Sequence, residues 1–119
     1  MNMNLLVVDD SERARRMIKN MLKNIAAEVY ECLDGSEALA AYALHHPDWV
    51  FMDIEMKDMD GITATQQITA AFPGARVVII SNHDGSDLRA AASEAGACGY
   101  ITKDNLIEVR RVLGAEQKP

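Results

Sequence analysis

Five side chains suited to phosphate and metal chemistry stand at the ends of four short apolar runs. The runs cover residues 4–8, 48–52, 76–80 and 99–101, and each is typical of a buried strand. The side chains at their ends are Asp9, Asp10, Asp53, Ser81 and Lys103. In parallel sheets the functional cleft lies beyond the carboxyl ends of the strands, so we expect these side chains to lie together.

Three of the five are carboxylates, and like charges held together raise each other's pKa unless a cation compensates. Magnesium suits such a site, because it needs only one or two direct carboxylates and can then bridge phosphoryl oxygens. Lys103 would add a positive charge for phosphate, and Ser81 a hydroxyl donor. Asp53 could act as the nucleophile and form an aspartyl phosphate. Each feature alone also fits a loop start or a solvated side chain, so the prediction depends on their shared position.

A strand followed by a helix recurs five times along the chain. The remaining strand, 28–32, is short and half polar, which indicates a sheet edge. A capping box at Asp34 and Glu37 starts the second helix. The other helices are predicted from Ser11 to about Ile25, over 62–71, over 86–95 and from Asp104 or Asn105 onward. The alternation predicts an α/β fold, a (βα)5 three-layer sandwich with a five-stranded parallel sheet, in a single domain over 1–119.

The first and fourth helices differ in their apolar positions. The stripe of the first helix consists of Ala14, Met17, Ile18, Met21, Leu22 and Ile25. The inward positions of the fourth are Leu88, Ala91, Ala92 and Ala95. Alanine buries little area, so we expect the fourth helix to be held lightly and to be able to move. The first helix is basic outside its stripe, which fits either a solvated face or a docking surface for an acidic partner.

The composition narrows the function classes. The chain has 119 residues, a net charge of −6 and 49% hydrophobic residues, which fits one globular domain and argues against general nucleic-acid binding. No apolar run is long enough to span a bilayer, and the start lacks the basic region of a signal peptide, so we expect a cytoplasmic protein. Cys32 and Cys98 are predicted to be small buried side chains in strands, and the three histidines form no metal-ligand pattern.

The chain resembles a receiver domain of a two-component response regulator, of the kind found in chemotaxis regulators. The matching stretches are LLVVDDSE (5–12), DGSEAL (34–39), PDWVFMDIEM (47–56), MDG (59–61), VVIIS (77–81) and GACGYITKD (96–104). They extend over nearly the whole chain. The resemblance implies a flavodoxin-like fold with strand order 2-1-3-4-5.

The resemblance also implies roles at the site. Asp53 would accept a phosphoryl group from a histidine kinase or a histidine phosphotransfer protein. Mg²⁺ would be bound directly by Asp10, Asp53 and the backbone carbonyl of Glu55, while Asp9 would act mainly through water. Ser81 and Lys103 are implied to hold the phosphoryl oxygens. Such a domain is not an enzyme with an external substrate; it assists its own phosphorylation and dephosphorylation.

A second set of implied roles concerns switching. Tyr100 would be the aromatic residue whose rotamer couples to Ser81, and the surface of helix four, strand five and helix five would change on phosphorylation. The output partner or output domain is not identified by the sequence. Direct nucleic-acid binding by this chain and membrane association are not expected, and a phosphorylation-dependent homodimer is one option.

Several positions depart from the commonest pattern of the family. Lys57 and Asp104 stand where proline is usual, so the loop after the site should be less rigid and a cis peptide after Lys103 is far less expected. Asn82 replaces a smaller residue and could narrow access to the phosphoryl group. Glu55 and His83 lie two residues beyond Asp53 and Ser81, and we hypothesise that they modulate the attack of water on the phosphoryl group; the alternative is that both point into solvent.

Other readings remain open. The chain could be a stand-alone receiver, a receiver excised from a longer DNA-binding regulator, or a degenerate receiver that serves as an interaction scaffold. A magnesium-dependent phosphatase with an aspartate nucleophile would need a substrate pocket and usually a cap insertion. A flavodoxin-like cofactor carrier would need a glycine- and hydroxyl-rich phosphate loop after the first strand, where this chain has acidic residues.

Overall fold

The computed structural model describes residues 3–26 and 28–117. The strands are β1 (Asn4–Val8), β2 (Glu28–Cys32), β3 (Trp49–Met52), β4 (Val77–Ser81) and β5 (Gly99–Thr102). The helices are α1 (Glu12–Met21), α2 (Ala38–His45), α3 (Gly61–Ala71), α4 (Ser86–Glu94) and α5 (Ile107–Gln117). Two 3₁₀ turns, Gly35–Glu37 and Lys103–Asn105, precede α2 and α5.

The five strands form one parallel sheet in the order β2-β1-β3-β4-β5, as predicted. The half-polar β2 is an edge strand, while β1, β3 and β4 are almost entirely buried. Apolar runs without alternation form these central strands because helices cover both of their faces. In the register, Val8 lies opposite Met52, so Asp9 and Asp53 leave neighbouring strands at the same height.

Side chains from the two faces of the sheet form two separate cores. One face packs against α1 and α5 and includes Leu5, Val7, Phe51, Val78, Ile80, Ile18, Leu22, Val109 and Leu113. The other packs against α2, α3 and α4 and includes Leu6, Val8, Val50, Met52, Ile79, Tyr42, Ile68 and Ala92. This is the three-layer arrangement that the strand–helix alternation predicts.

Two packing expectations need correction. Cys98 is exposed and precedes β5, whereas Cys32 is buried at the end of β2. Met17, expected on the inward stripe of α1, is 43% exposed. In both cases the residue type indicated burial, but apolar side chains are also common on protein surfaces. Among the described helices, none combines the length and the hydropathy that crossing a membrane requires.

Candidate functional site

The β1–α1 turn presents two aspartates in different environments. Asp9 is buried, and its Oδ1 accepts a hydrogen bond from the backbone N–H of Ser11 at 2.9 Å. Ser11 in turn caps α1, because its hydroxyl accepts from the N–H of Ala14 at 3.2 Å. Asp10, the residue between them, is exposed and lines the cleft at this end of the sheet. The turn therefore directs one carboxylate inward and leaves the other beside solvent.

Asp53 is held by the close packing of the β3–α3 segment. Its backbone N–H donates to the carbonyl of Val8 at 2.9 Å, and the N–H of Gly61 donates to the carbonyl of Ile54 at 2.8 Å. A Cβ atom on Gly61 would lie only 1.8 Å from the Asp53 carbonyl oxygen. Gly61 is thus required because the start of α3 presses directly on the backbone of Asp53. Asp60 caps that helix by accepting from the N–H of Thr63 at 2.8 Å.

Lys103 connects the two buried carboxylates. Its Nζ lies 2.9 Å from Asp9 Oδ2 and 3.3 Å from Asp53 Oδ1, and its side chain is 19% exposed. Burial opposes ionisation of the amine, but the contacts with Asp9 and Asp53 prevail and raise the pKa of Lys103. The lysine is therefore a fixed positive charge between the ends of β1 and β3.

The ionised form of the Asp53 carboxyl is destabilised by its surroundings. Burial and the negative charge of Asp9 raise its pKa to about 6, although the Lys103 ammonium partly offsets them. A single lysine thus does not fully compensate the acidic residues around it. This is the electrostatic situation in which a further cation would be favoured.

The residues present fit a hard divalent cation. One carboxylate oxygen from each of Asp9, Asp10 and Asp53 lies within 4.8 Å of the others. Asp9 Oδ2 receives no directed hydrogen bond from the described residues and faces the Lys103 ammonium as an ion pair. An all-oxygen set with free lone pairs is what Mg²⁺ binds in proteins, with water completing its coordination.

The family model for the response regulator receiver domain matches residues 5–112. The chain belongs to this family. The chemotaxis protein CheY of Bacillus subtilis (strain 168) is 39% identical over 115 residues, which span 96% of this chain and 94% of the relative. This receiver domain is therefore a phosphoacceptor signalling domain of the CheY type, which confirms the resemblance and the general function predicted from the sequence.

Solved receiver structures share the fold. The response regulator domain of Thermotoga maritima CheB has a TM-score of 0.86 at 25% identity, with all of both chains covered. A CheX–CheY–BeF3–Mg²⁺ complex from Borrelia burgdorferi has a TM-score of 0.83 at 28% identity, covering 98% of this chain and 90% of that one. Domains of this family bind Mg²⁺ at their acidic pocket, are in general not enzymes, and interact with histidine kinases and output proteins.

Ser81 and Tyr100 of this receiver domain are joined through His83. Ser81 is buried at the end of β4, and its Oγ accepts from the N–H of His83 at 3.1 Å. The Tyr100 hydroxyl donates to the carbonyl of His83 at 2.7 Å. The seryl oxygen keeps its own O–H available as a donor, and the two residues are connected by one backbone unit.

Two residues predicted to act as modulators contact each other. The Nε2 atom of His83 pairs with a carboxylate oxygen of Glu55, which joins the β3–α3 loop to the β4–α4 loop. Both side chains are more than half exposed. Glu55 also lines a cleft of about 530 Å³ at this end of the sheet. The cleft lining includes Asp10, Asp53, Glu55, Asn82, Lys103 and Asp104.

Two of the departures from the family pattern, Asn82 and Asp104, line this cleft. Both are exposed, as is Lys57 in the β3–α3 loop. The described residues contain no cis peptide bond, so the bond between Lys103 and Asp104 is trans. Asp104 accepts a hydrogen bond from the Thr102 hydroxyl at 2.6 Å.

Asp34 is a supporting residue that sequence reasoning placed only in a capping box. Its carboxylate accepts from the N–H groups of Ser36, Asp58 and Met59, at 2.9, 2.9 and 3.1 Å. Hydrogen bonds from the backbones of Asp58 and Ser36 lower the pKa of Asp34 to about 2. Asp34 thereby ties the β3–α3 loop, which carries Glu55, to the turn after β2. In the sequence, the acidic residue before a glycine indicated only a local turn. The loop partners of Asp34 lie more than twenty residues away along the chain.

Proposed function

We propose that this receiver domain accepts a phosphoryl group on Asp53 from a phosphohistidine of a histidine kinase or a histidine phosphotransfer protein. The observation that carries the proposal is the meeting of Asp9, Asp10 and Asp53 at the carboxyl edge of the sheet, with Lys103 in contact with Asp9 and Asp53. Asp53 contacts Lys103 through one of its oxygens and lines the cleft that opens to solvent.

In the proposed reaction an Asp53 carboxylate oxygen forms a bond to phosphorus while the bond from phosphorus to the donor imidazole nitrogen breaks. The nitrogen keeps the electron pair and takes up a proton. Asp10, Asp53 and the backbone carbonyl of Glu55 would hold Mg²⁺, with Asp9 acting mainly through water. Bound Mg²⁺ would neutralise charge on the phosphoryl oxygens.

Lys103 and Ser81 would hold the phosphoryl group after transfer. Lys103 already lies 3.3 Å from Asp53 Oδ1, so a small movement toward a phosphoryl oxygen preserves its contact with the acidic residues. Ser81 has a free hydroxyl hydrogen, because its oxygen is the acceptor in the bond from His83. A shift of Ser81 toward the phosphoryl group would pull on His83 and, through its carbonyl, on Tyr100.

The output of this switch would be the surface formed by α4, β5 and α5. α4 buries little more than alanines, which supports its movement as a unit. We propose that the output partner, or an output domain of a longer regulator, binds there, and that 1–119 acts as a single receiver domain in the cytoplasm without contacting nucleic acid itself. A phosphorylation-dependent homodimer stays a prediction.

Incubation with a small phosphodonor and Mg²⁺, followed by intact mass spectrometry, tests the proposal. We expect one added phosphoryl group on the wild-type protein and none on Asp53→Asn. Asp58→Asn, which changes an exposed carboxylate of the following loop, is the matched control and should still be modified. Absence of an adduct with every donor would favour a degenerate receiver that serves as a scaffold.

The lifetime of the adduct tests the proposal that Glu55 and His83 modulate attack by water. The contact of His83 with Glu55, which lines the cleft beside Asp53, supports it. We expect Glu55→Ala and His83→Ala to change the rate of phosphoryl loss in the same direction, because each removes the same contact. Lys57→Gln, on the same loop, should leave the rate unchanged. Wild-type lifetimes in both variants would contradict the proposal.

A further inference from the structure

Arg15 lies behind the acidic site and is unusually buried for an arginine. Its side chain is only 11% exposed, although it stands on the basic face of α1. One end of the guanidinium, Nε, donates to Glu31 of β2 at 3.0 Å. The other end, NH1, donates to the backbone carbonyl of Asp9 at 2.8 Å. The planar fork of arginine can make these two contacts at once, which a point charge cannot do equally well.

These contacts close a loop of hydrogen bonds around the β1–α1 turn. The N–H of Asp9 donates to the carbonyl of Cys32 on β2 at 3.1 Å, and the N–H of Arg15 donates to the carbonyl of Ser11 at 3.0 Å. With Arg15 on its carbonyl, the backbone of Asp9 is fixed on both sides. Asp10 follows immediately, and no hydrogen bond to its side chain is present among the described residues. The direction of the Asp10 carboxylate therefore depends on the backbone that Arg15 holds.

Glu31 keeps the guanidinium in place. Burial opposes its ionisation, but hydrogen bonds from Lys19 and Arg15 lower the pKa of Glu31, so it is a carboxylate at neutral pH. Lys19 contacts the other Glu31 oxygen at 3.1 Å and does not reach Asp9. Two basic residues of α1 thus share one acidic partner, and Arg15 is the one that also contacts the site. A comparison of Arg15 and Lys19 variants therefore separates the effect of the backbone contact from that of surface charge.

We propose that Arg15 is a positioning residue for Mg²⁺ binding, which holds the Asp9–Asp10 backbone so that both carboxylates face the cation. This inference rests on the proposed function, because it presumes a magnesium site at Asp9, Asp10 and Asp53. The direction of the expected change in Mg²⁺ affinity distinguishes positioning from a simple effect of charge. By charge alone, removal of a cationic side chain near three carboxylates would strengthen the binding of another cation. Positioning predicts the opposite.

Calorimetric titration of the unphosphorylated protein with MgCl₂ tests the inference. We expect Arg15→Gln to weaken Mg²⁺ binding on the order of tenfold, the scale at which the partners of metal ligands act. Arg15→Met keeps the apolar stem and covers the case in which the glutamine variant does not fold, as judged by circular dichroism. Lys19→Gln removes the same charge from the same ion-pair network, and it should bind Mg²⁺ as tightly as wild type or more tightly.

Phosphorylation measured against Mg²⁺ concentration gives a second readout. If Arg15 positions the metal ligands, its variants need more Mg²⁺ for half-maximal modification but reach the wild-type rate at saturation. Mg²⁺ binding by a folded Arg15 variant at wild-type strength or tighter would overturn the inference. Absence of Mg²⁺ binding by the wild-type protein would overturn the proposed function, and this inference with it.

Discussion

Two sides of the same sheet edge are built in different ways. The acidic side consists of the β1–α1 turn and the β3–α3 segment, residues 9–15 and 53–61. The α4 side consists of the β4–α4 turn, α4 and β5, residues 82–102. On the acidic side nearly every turn is fixed by a side chain: Ser11 and Asp60 cap their helices, and Asp34 and Arg15 hold the backbone from behind. On the α4 side the N-cap residue of the helix is Gly85, which provides no side-chain cap.

The anchoring of the helices follows the same division. α1 inserts Ile18, and Leu22 at its carboxyl end, into the core, where both are almost fully buried. α4 buries Ala92, with Ala95 just beyond its end. A movement of α4 would therefore expose much less apolar area than a movement of α1. A polar contact adds to this anchoring at the carboxyl end of the helix, where the Thr69 hydroxyl donates to the Ala95 carbonyl at 2.7 Å. The domain therefore combines a firmly held acidic site with a neighbouring element that can change position at low cost.

Glycine substitutions should show the largest difference between the two sides. Gly61→Ala would place a Cβ against the Asp53 carbonyl, and overpacking of this kind costs about 1–3 kcal/mol and sometimes more. We expect a loss of about 3 kcal/mol in the free energy of unfolding and a large fall in Asp53 phosphorylation, because the backbone of the acceptor must shift. Urea unfolding monitored by circular dichroism and the mass assay measure the two effects.

The matched substitution on the α4 side is Gly85→Ala. No heavy atom lies within 4 Å of the Cβ position at Gly85, and its φ of −74° suits alanine. We therefore expect no loss of stability, and a gain of up to about 1 kcal/mol from the stiffer unfolded chain. Equal losses for Gly61→Ala and Gly85→Ala would show that the two sides are packed alike.

Removing the charge of Asp53 should have the next largest effect on the free energy of unfolding, measured in metal-free protein. Its pKa is raised from 3.8 to about 6, so the folded state favours the protonated form. The stability associated with that form is complete below about pH 4 and is lost as the pH rises through 6. At pH 7 we expect Asp53→Asn to be more stable than wild type by up to about 3 kcal/mol, since two pKa units correspond to about that energy.

The pH dependence distinguishes this effect from a packing change. The advantage of Asp53→Asn should shrink as the pH falls from 7 to 4, and Mg²⁺ should also reduce it by stabilising the wild-type carboxylate. Thermal unfolding in EDTA at several pH values measures it, with Asp58→Asn as the control. An advantage that does not change with pH would contradict the electrostatic explanation.

The fold, and the meeting of Asp9, Asp10, Asp53 and Lys103 at one sheet edge, could be predicted because both follow from local sequence patterns. Buried strands are continuous apolar runs, and in parallel sheets their carboxyl ends meet, so the position of Asp53 after 48–52 already indicated its neighbours. The observed β4, Val77–Ser81, lies one residue further along the chain than the predicted strand over 76–80. Ser81 is therefore part of the strand, and the sheet fixes its backbone. Such shifts do not change which side chains meet.

The supporting residues could not be predicted in the same way. Arg15 looked like one of several basic residues on α1, and its contacts with Asp9 and Glu31 depend on how α1 crosses two strands. Asp34 looked like a helix cap, and its loop partners appear only when the sheet brings β2 and β3 to the same edge. Cys98 was misjudged because a small apolar residue near a strand carries no signal for which side of the rim it occupies.

The smallest expected effect concerns the polar attachments of α4. Tyr100→Phe removes the hydroxyl that donates to the His83 carbonyl while keeping the ring under the Arg89 guanidinium, 4.6 Å from its centre. We expect a loss of at most about 1 kcal/mol in global stability, as for a typical single hydrogen bond. Locally the effect should be clearer, because this hydrogen bond holds the β4–α4 turn directly.

Amide hydrogen exchange resolves that local effect. In Tyr100→Phe the amides of 83–89 should exchange faster than in wild type, while those of α1 keep their protection, since α1 is anchored in the core. Tyr30→Phe, at the opposite edge of the sheet, is the control: the ring stacks on His45, and no hydrogen bond to its hydroxyl is present among the described residues. If Tyr100→Phe accelerates exchange in α1 and α4 alike, the two sides open together, and the proposed division between a rigid site and a movable helix is wrong.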